Sequence, residues 1–373
     1  MSGMTGRGSL LTVEAVEVWT LTLDRLTPFS SANETVQRET HVIVSVRAGG
    51  LIGWGEAPVP LAPLYLPESV ATVLDALRHH LIPRLLGVTL AEPDDAATAM
   101  APVRGNLFAK HALETAALDL IAQKRGISMA SLLGARATHV PAGATFGLPD
   151  RAEDLFDRID DALATGHSRV KVKIAPGRDI QILEPVRNRY PDLSLTADGN
   201  SAYTLSGAVA LTALDSIGLT LLEQPLAWDD FSDHATLQGM MHTPLALDES
   251  LQSENDLRTA IALRACRAVV LKPAHVGGPW QAKKMHDRAV KAGLPIMVGG
   301  MHDFCIARAA NLAVAALSGC TVPGDVGGTD RYYATDLIEE PIRMTARGMP
   351  VPHRIRVVDG VLKAADPQFR LTV

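Results

Sequence analysis

Apolar residues recur with different periods along this chain, and the changes of period divide it into three parts. Between residues 12 and 57 apolar and polar residues mostly alternate, which predicts a small antiparallel sheet. Between residues 68 and 134 the apolar positions lie three and four residues apart, the spacing of packed helices. From residue 140 onward, short apolar runs alternate with amphipathic segments, which is the pattern of parallel strands joined by helices.

This pattern predicts the individual elements. In the first two parts we predict strands at 13–23, 41–47 and 51–56, with a polar loop at 27–33 and a proline-rich loop at 57–67. Helices are predicted at 68–86 and 104–125, and Gly126 is expected to end the second of them. In the third part we predict strands at 140–146, 169–174, 194–198, 220–223, 245–248, 268–272 and 295–298, with helices at 152–165, 179–190, 205–215, 255–263 and 280–292. Short strands at 354–358 and 369–373 are expected to return to the first sheet.

Ionisable residues recur at one interval in the third part. Lys173, Asp198, Glu223, Asp248 and Lys272 follow one another by 25, 25, 25 and 24 residues. A strand, a helix and their two loops need roughly 25–30 residues, so each of these residues is predicted to end a strand. The five strand ends converge on one point only if the sheet closes, and the active sites of closed barrels lie at that end. The sequence has no GxGxxG or GxxxxGK[ST] motif of an open nucleotide-binding sheet, and therefore a (β/α) barrel is predicted.

The order of these charges indicates a chemistry. Lys171 and Lys173 are two apart in a strand and therefore point to the same face. Asp198, Glu223 and Asp248 carry more negative charge than these two lysines balance, which indicates a divalent cation. Carboxylate oxygens are ligands that suit Mg²⁺ or Mn²⁺. Such a site can bind a substrate carboxylate, remove the proton from the adjacent carbon with a lysine, and stabilise the resulting enediolate.

We expect two of the lysines to act as acid/base groups and the third to assist them. Lys173 is expected on one face of the substrate and Lys272 on the other, which permits racemisation, or elimination if one lysine abstracts a proton while the other assists elsewhere. Lys171 is expected to orient the substrate carboxylate or to lower the pKa of Lys173. Burial and neighbouring cations are expected to lower the lysine pKa values, so that a neutral base is available.

Composition narrows the class of protein. The 373 residues carry a net charge of −6 without a long basic run, which argues against a nucleic-acid-binding protein. No apolar run approaches the roughly 20 residues of a membrane span, and residues 1–11 lack the apolar core of a signal peptide. The three cysteines form no CxxC or zinc pattern, and we therefore expect a cytoplasmic protein.

Five motifs carry a resemblance to a known family. They are Lys-Val-Lys at 171–173, Asp-Gly-Asn at 198–200, Glu-Gln-Pro at 223–225, Asp-Glu-Ser at 248–250 and Lys-Pro-Ala-His-Val-Gly-Gly at 272–278. In these motifs the sequence resembles the muconate-lactonising subgroup of the enolase superfamily, and within it the N-succinylamino-acid racemase and o-succinylbenzoate synthase group. Gly-Trp-Gly-Glu at 53–56 and Pro-Gly-Asp at 323–325 extend the likeness over nearly the whole chain.

The resemblance implies an architecture and a site. It implies an α+β capping domain at 1–135, a (β/α)7β barrel at 136–326 and a C-terminal segment at 327–373 that returns to the cap, in a homo-oligomer. It implies Mg²⁺ or Mn²⁺ on Asp198, Glu223 and Asp248, with Lys173 and Lys272 as the acid/base pair. The loops at 29–33 and 58–66 would close over a small-molecule carboxylate. The substrate contacts implied in this way are Asn200, Ser30, Tyr65, His275, Gly300, Met301 and Asp303.

The sequence departs from the group at three places. Residues 299–305 read Gly-Gly-Met-His-Asp-Phe-Cys where Gly-Gly-Met-(Ile/Leu)-Glu-Thr-Gly is usual. Ala274-His275 replaces Gly-Arg, and Gly327-Gly-Thr329 replaces a Ser-Ala-Ser run. We expect these changes to affect the distal part of the substrate and to leave the proton chemistry intact.

Three functions remain open at the level of sequence. The first is racemisation of an N-acylamino acid by two lysines. The second is a syn-dehydration of the o-succinylbenzoate synthase type, or a lactone-forming cycloisomerisation, on the same scaffold. The third is a non-catalytic binding protein of the same fold, which the complete set of two lysines and three carboxylates argues against.

Overall fold

An antiparallel sheet forms the first layer of the protein. The computed structural model describes residues 10–30, 35–335, 337–339, 341–362 and 365–373, so residues 1–9 of the predicted tail and 31–33 of the predicted polar loop lie outside it. Strands β1 (Val13–Ser30), β2 (Thr35–Ala48) and β3 (Leu51–Ala57) pair in this order, and the last strand, β13 (Asp366–Thr372), pairs with β1. The C-terminal strand therefore belongs to the first sheet.

Five helices follow this sheet. They are α1 (Val70–Ala76), α2 (Ile82–Leu85), α3 (Asp95–Met100), α4 (Leu107–Arg125) and α5 (Met129–Leu132). A π-helical turn at Leu77–Leu81 separates α1 from α2, where one helix was predicted. Pro83 follows this turn and has no N–H to donate to the preceding turn, which favours a break in the regular helix. Gly126 ends α4 in the left-handed conformation, as predicted.

Seven parallel strands form the second sheet. In chain order and in spatial order they are β5 (Gly143–Phe146), β6 (Arg169–Lys173), β7 (Leu195–Asp198), β8 (Leu221–Glu223), β9 (Leu245–Leu247), β10 (Ala268–Leu271) and β11 (Ile296–Val298). The segment 322–325 closes the sheet, because Val322 bridges to Met297 of β11 and Gly324 bridges to Ala142 beside β5. The predicted barrel is confirmed, with 322–325 in the eighth strand position.

Helices cover the outside of the barrel. They are α6 (Phe156–Ala164), α7 (Ile180–Arg189), α8 (Ala208–Thr212), α9 (Phe231–Met240), α10 (Glu254–Leu263), α11 (Pro279–Lys291) and α12 (Cys305–Ala315). A two-residue strand, β4 (His139–Val140), pairs with β12 (Met349–Pro350), and α13 (Asp359–Leu362) precedes β13. None of the described helices is long and apolar enough to cross a membrane. The division into domains at residues 135 and 326 stays a prediction.

Two further local predictions were wrong, and two helices were not predicted. β1 extends to Ser30, so the described part of the predicted polar loop, residues 27–30, is strand that pairs with the start of β2. The segment 354–358 contributes one isolated bridge at Val357 and no regular strand. Helices α9 and α12 were not predicted. In α9 small and polar residues make the apolar period weak. In α12 every residue is buried, so the helix has no polar face that would mark it in the sequence.

Strand β6 illustrates how the sequence forms the barrel wall. All five of its residues are buried although three of them are charged. Val170 and Val172 pack with the helices outside, in one cluster with Leu183 and Leu195. Successive side chains of a strand point to opposite faces, and Lys171 and Lys173 therefore point into the barrel. Their charge has to be balanced by the neighbouring strands.

Two buried glutamates, one in β3 and one in α4, connect the first part of the chain to the barrel helices. Glu56 of β3 accepts hydrogen bonds from the backbone N–H groups of Phe304 and Ala307, both at 2.8 Å, at the N-terminus of α12. Glu114 of α4 accepts from the N–H of Trp280 at 2.7 Å, at the N-terminus of α11. A carboxylate at a helix N-terminus satisfies free N–H groups and interacts favourably with the helix dipole. The barrel helices next to the site are thus held by the first part of the chain.

The close approach of β3 to α4 leads to a stability prediction. A Cβ atom at Gly55 would overlap the carbonyl oxygen of Ala112, so only glycine fits there. We expect Gly55→Ala to lower the free energy of unfolding by about 1–3 kcal/mol, since overpacking forces a backbone shift. Urea denaturation measures this. Gly239→Ala in α9 is the control, because nothing lies within 4 Å of its added Cβ. Equal stabilities of the two variants would contradict the prediction.

Candidate active site

Five charged residues stand together at the carboxyl ends of consecutive barrel strands. Lys173 ends β6 and lies opposite Asp198 at the end of β7, which lies opposite Glu223 at the end of β8. Asp248 and Lys272 each follow the last residue of β9 and β10. The strands are hydrogen-bonded in this order, so the regular interval in the sequence becomes a continuous arc of side chains.

Each buried lysine in this arc is paired with a carboxylate. Lys173 Nζ donates to Asp198 Oδ2 at 2.6 Å, and Lys272 Nζ lies 2.6 Å from Asp248 Oδ2. Lys171 Nζ donates to both oxygens of Glu223, at 2.9 and 3.0 Å. Ion pairs offset the cost of burying these charges, and hydrogen bonds fix their geometry.

Asp325 is a further charged residue of this site that was not predicted. It lies in the closing segment of the barrel, accepts from Lys171 Nζ and Arg169 Nη2, and accepts from the Thr145 hydroxyl at 2.8 Å. The signal was present in the sequence, since the interval continues from Lys272 by 27 residues to Gly299 and by 26 more to Asp325. The eighth strand position is too short and irregular to show an apolar run, and the step was therefore missed.

Burial and neighbouring charges shift the pKa values of the site in opposite directions. Burial lowers the pKa of Lys171, but Asp325, Glu223 and Asp198 outweigh it, and the pKa lies well above its usual value. For Lys272, burial also acts downward, and Asp248 and Glu249 raise the pKa above its usual range. At these two lysines the carboxylates in direct contact therefore outweigh burial, an effect that the expectation of lowered lysine pKa values did not include.

The carboxylates repel one another as well. Burial raises the pKa of Glu223 well above its usual value, and the negative charges of Asp198 and Asp248 add to this effect despite Lys171. Asp198 is also buried, but Lys173 and Lys171 hold its pKa below its usual value. Excess negative charge thus collects around Glu223, between the two aspartates.

The motif residues between the charges hold the loops in place. Gln224 Oε1 accepts from the N–H of Asp248 at 2.9 Å, and Gln224 Nε2 donates to Ser250 Oγ at 2.8 Å. Asn200 donates to Glu249 Oε1 at 2.9 Å from its side chain and to Asp198 Oδ1 at 2.9 Å from its backbone. Asn200 and Gln224 have positive φ angles of 41° and 33°, a strained conformation that is common at functional sites.

A cavity of about 390 Å³ lies above this arc. Lys171, Lys173, Lys272 and Asp325 face it from the barrel. The proline-rich loop contributes 58–62 and Tyr65, and strand β2 contributes 35–41 from the other side. Its size is that of a site for a small organic molecule.

Four of the seven predicted substrate contacts line this cavity: Asn200, Tyr65, Gly300 and Met301. The Tyr65 hydroxyl accepts from Lys272 Nζ at 3.0 Å and lies 3.4 Å from Asp248 Oδ2. Tyr65 therefore contacts one of the paired lysines directly.

The other three predicted contacts lie elsewhere. Ser30 lines a smaller cavity beside the main one. His275 is buried below it, against the rings of Tyr65 and Phe108, and burial and Lys272 lower its pKa to about 3.

Asp303 is also absent from the cavity wall. It is fully buried, where it accepts from Asn311 Nδ2 at 2.9 Å and from the N–H of Met301 at 3.1 Å, and pairs with Arg308 at 3.3 Å. Phe304 and Cys305 are buried with it. The Asp303 side chain holds the loop after β11 in place, because its short carboxylate reaches the neighbouring backbone.

The three carboxylates of the arc are the oxygen ligands available to a divalent cation in this site. In the described parts of the chain, no three His, Cys, Asp or Glu side chains already converge as metal ligands, since the lysine ammonium groups hold the carboxylates. Yet Asp248 Oδ1 is buried without a hydrogen-bond partner among the described residues, with His275 Nδ1 3.5 Å away. An unbonded carboxylate oxygen and the crowded charge at Glu223 both fit a hard divalent cation.

Comparison with known proteins agrees with this geometry. Residues 15–134 match the model of the mandelate racemase/muconate lactonizing enzyme N-terminal domain, and residues 154–355 match the model described as enolase C-terminal domain-like. An o-succinylbenzoate synthase from Geobacillus kaustophilus is 37% identical over 344 residues, 92% of each chain. An N-succinylamino acid racemase from Thermus thermophilus is 38% identical over 345 residues, 92% of this chain and 94% of that one.

The fold of a solved relative agrees over its full length. A member of the enolase superfamily from Listeria innocua superposes with a TM-score of 0.93 at 30% identity, over 97% of this chain and 99% of that chain. The sequence comparison and the fold comparison indicate the same superfamily, and the predicted resemblance is confirmed. The chain belongs to the mandelate racemase/muconate lactonizing enzyme group of the enolase superfamily, and it is an enzyme of the isomerase or lyase kind.

Proposed function

We propose that this enzyme removes the proton next to a carboxylate and racemises an N-acylamino acid with Lys173 and Lys272. The observation that carries the proposal is the placement of the two lysines. Lys173 lies on β6 and Lys272 after β10, four positions apart in a ring of seven strands and one closing segment, and both face one cavity. Positions four apart in an eight-membered barrel are opposite, so a substrate between them meets one lysine on each face.

The proton steps then belong to this pair. A neutral Lys173 takes the α-proton from one face, while the ammonium of Lys272 gives a proton to the other face. The substrate leaves with inverted configuration, Lys173 is charged and Lys272 is neutral, which is the state needed for the reverse reaction. Lys171, held by Glu223 and Asp325, provides a fixed positive charge beside the reacting carboxylate.

We propose that Asp198, Glu223 and Asp248 hold Mg²⁺ or Mn²⁺. The unbonded oxygen of Asp248 and the accumulated charge at Glu223 support this assignment. A bound divalent cation neutralises these carboxylates and stabilises negative charge that develops on the substrate carboxylate. Asn200 and Gln224 orient the Asp198 and Asp248 loops by the hydrogen bonds described above.

A syn-dehydration of the o-succinylbenzoate synthase type is the second candidate. It is favoured by the synthases among the relatives, at 37% identity over 92% of the chain for the one from Geobacillus kaustophilus. The same lysines would serve it, since both reactions begin with loss of the α-proton. The cycloisomerase alternative has weaker support, from a chloromuconate cycloisomerase of Cupriavidus necator at 29% identity.

Incubation in D₂O with Mg²⁺ separates the candidates. Racemisation is expected to replace the α-hydrogen of an N-succinylamino acid by deuterium and to produce the other enantiomer, with no other change of mass. Dehydration is expected to remove one water from its hydroxyacid substrate. Mass spectrometry and chiral chromatography measure both. The proposal of racemisation fails if the folded protein with Mg²⁺ exchanges no α-proton in a panel of N-acylamino acids.

A further inference from the structure

The two lysines of the proposed acid/base pair are held in different ways. Lys173 Nζ donates to Asp198, and no hydroxyl group of the described residues is bonded to it. Lys272 Nζ lies 2.6 Å from Asp248 Oδ2 and also donates to the Tyr65 hydroxyl at 3.0 Å. The Lys272 side of the site therefore contains a hydroxyl group that the proposed proton steps do not use.

The hydrogen bonds of Tyr65 fix the direction of its hydroxyl group. Its O–H donates to Asp248 Oδ2 at 3.4 Å, so an oxygen lone pair is left to accept from Lys272. A carboxylate pairs strongly only with the ammonium form of a lysine, whereas a hydroxyl oxygen accepts from the ammonium and from the neutral amine alike. Tyr65 can therefore hold the amine while the nitrogen lone pair is free to take a proton.

The carbon chain of Lys272 is confined as well. A Cβ atom at Gly299 would lie 2.9 Å from the Cγ and Cε atoms of Lys272, so this side chain runs directly over the glycine. The centre of the Tyr65 ring lies 5.4 Å from Nζ. Close packing of this kind leaves few rotamers to the lysine, and the hydroxyl then determines where its terminal nitrogen points.

Tyr65 is itself fixed by its own contacts and by the end of the proline-rich loop. Leu64, which precedes it, is exposed, but the Tyr65 ring points inward and packs against the ring of His275, with 5.8 Å between the centroids. Three residues further on, Glu68 accepts from the N–H of Leu107 at 2.5 Å, at the N-terminus of α4. The loop is thus anchored close to Tyr65, and its hydroxyl is held against the lysine.

We propose that Tyr65 is a positioning residue for Lys272. The inference rests on the proposed function, since it concerns one of the two proposed bases. The Tyr65 hydroxyl keeps the Lys272 nitrogen directed into the main cavity in both of its protonation states, whereas Lys173 acts without such a group. Loss of the hydroxyl therefore affects proton transfer on one face of the substrate only.

Single-base variants allow the effect on each lysine to be measured separately. In Lys173→Ala only Lys272 exchanges the α-proton of an N-succinylamino acid, and in Lys272→Ala only Lys173 does. Adding Tyr65→Phe to Lys173→Ala is expected to slow this exchange in D₂O with Mg²⁺ by about 10–100-fold with KM unchanged, the value of a hydrogen bond to a charged group. Added to Lys272→Ala, the same change is expected to alter the rate by no more than about 2-fold, because the hydroxyl has no lysine to hold.

Tyr190→Phe is the matched control for loss of a tyrosine hydroxyl. The Tyr190 hydroxyl is bonded to Asp160 Oδ1 at 2.8 Å and lies outside the main cavity, so this variant is expected to keep the exchange rate in both backgrounds. Equal slowing by Tyr65→Phe in both backgrounds means that Tyr65 binds the substrate or supports the fold, which overturns the positioning role. An exchange rate of Lys173→Ala that Tyr65→Phe leaves unaltered also overturns it.

A measurement without turnover tests the same role independently of the substrate. In nuclear magnetic resonance of protein labelled with ¹³C at the lysine Cε atoms, a firmly held side chain has two different Cε proton shifts. The signal of Lys272, identified by its loss in Lys272→Ala, is expected to show two such shifts in the wild type and in Tyr190→Phe, and to show them converging in Tyr65→Phe.

The two measurements separate this inference from the proposed reaction. Cε proton shifts of Lys272 that stay apart in Tyr65→Phe overturn the positioning role. If the shifts converge in that variant but the wild type exchanges no α-proton in a panel of N-acylamino acids, the positioning of Lys272 stands and the proposed racemisation fails.

Discussion

Lys173→Ala is expected to abolish racemisation, with a loss of at least about 10²–10⁴-fold in kcat, the usual contribution of a positioned acid or base. Lys173 is the proposed acid/base group at the end of β6, and the groups that remain near it, Asp198 and Lys171, are themselves paired. Lys272→Ala is expected to give a loss of the same size. Chiral chromatography of the product measures both.

The two variants are expected to differ in the proton that they still exchange. In Lys173→Ala, Lys272 remains to remove a proton from its own face, so one enantiomer of the substrate exchanges its α-hydrogen in D₂O without racemising. In Lys272→Ala the other enantiomer exchanges. This opposite selectivity follows from the positions of the lysines across the barrel.

Charge and basicity can be separated by a conservative variant. Lys173→Arg keeps a positive charge next to Asp198, but a guanidinium does not lose its proton at working pH and therefore cannot act as the base. It is expected to be as inactive as Lys173→Ala. Lys291→Ala, on the exposed face of α11, is the control and is expected to keep full activity. Full activity in Lys173→Ala or Lys272→Ala would remove that lysine from the mechanism.

Removal of divalent metal is expected to lower the activity about as strongly as the loss of either lysine. Dialysis against a chelator should reduce activity to background, and Mg²⁺ or Mn²⁺ should restore it. The fold should persist, because the ammonium groups of Lys171, Lys173 and Lys272 can pair with the same carboxylates. Far-UV circular dichroism before and after dialysis measures the fold.

Metal binding can also be followed without activity. Mn²⁺ binding measured by electron paramagnetic resonance is expected to show a tight site in the wild type that Glu223→Gln weakens strongly, since the charged ligand between Asp198 and Asp248 is lost. Glu254→Gln, an exposed residue of α10, is the control. Full activity in excess chelator, or unchanged Mn²⁺ binding in Glu223→Gln, would contradict the metal assignment.

Much of the fold and part of the site could be predicted from local sequence. The strand ends at Asp198 and Glu223 were located to the residue and the one at Lys173 to within one residue, because a β-α unit has a nearly fixed length and the charges recur with it. Helix α9 lacked a clear apolar period and was missed. The π-helical turn between α1 and α2 precedes a proline inside an otherwise helical pattern, and the effect of such a proline is hard to locate in advance.

The positions of the predicted substrate contacts relative to the main cavity were harder to infer from the sequence than those of the lysines and carboxylates. Tyr65 and Met301 line the main cavity, whereas His275 and Asp303 are buried below it and Ser30 faces the smaller cavity. All five lie in segments that follow a strand or end one, where backbone direction is irregular. A motif locates such a segment, but the orientation of each side chain depends on what packs against it.

The sequence by itself determined the barrel and the arc from Lys173 to Lys272, because these depend on local periods and on a repeated spacing, and its motifs indicated the family by resemblance. Only the tertiary structure decided that Lys171 is bonded to Asp325, that carboxylates raise the pKa values of Lys171 and Lys272, and that three arginines meet beside the main cavity. Arg25, Arg158 and Arg331 share no interval. They meet because the barrel closes and the first sheet packs onto its open end, which brings together residues that are far apart in the chain.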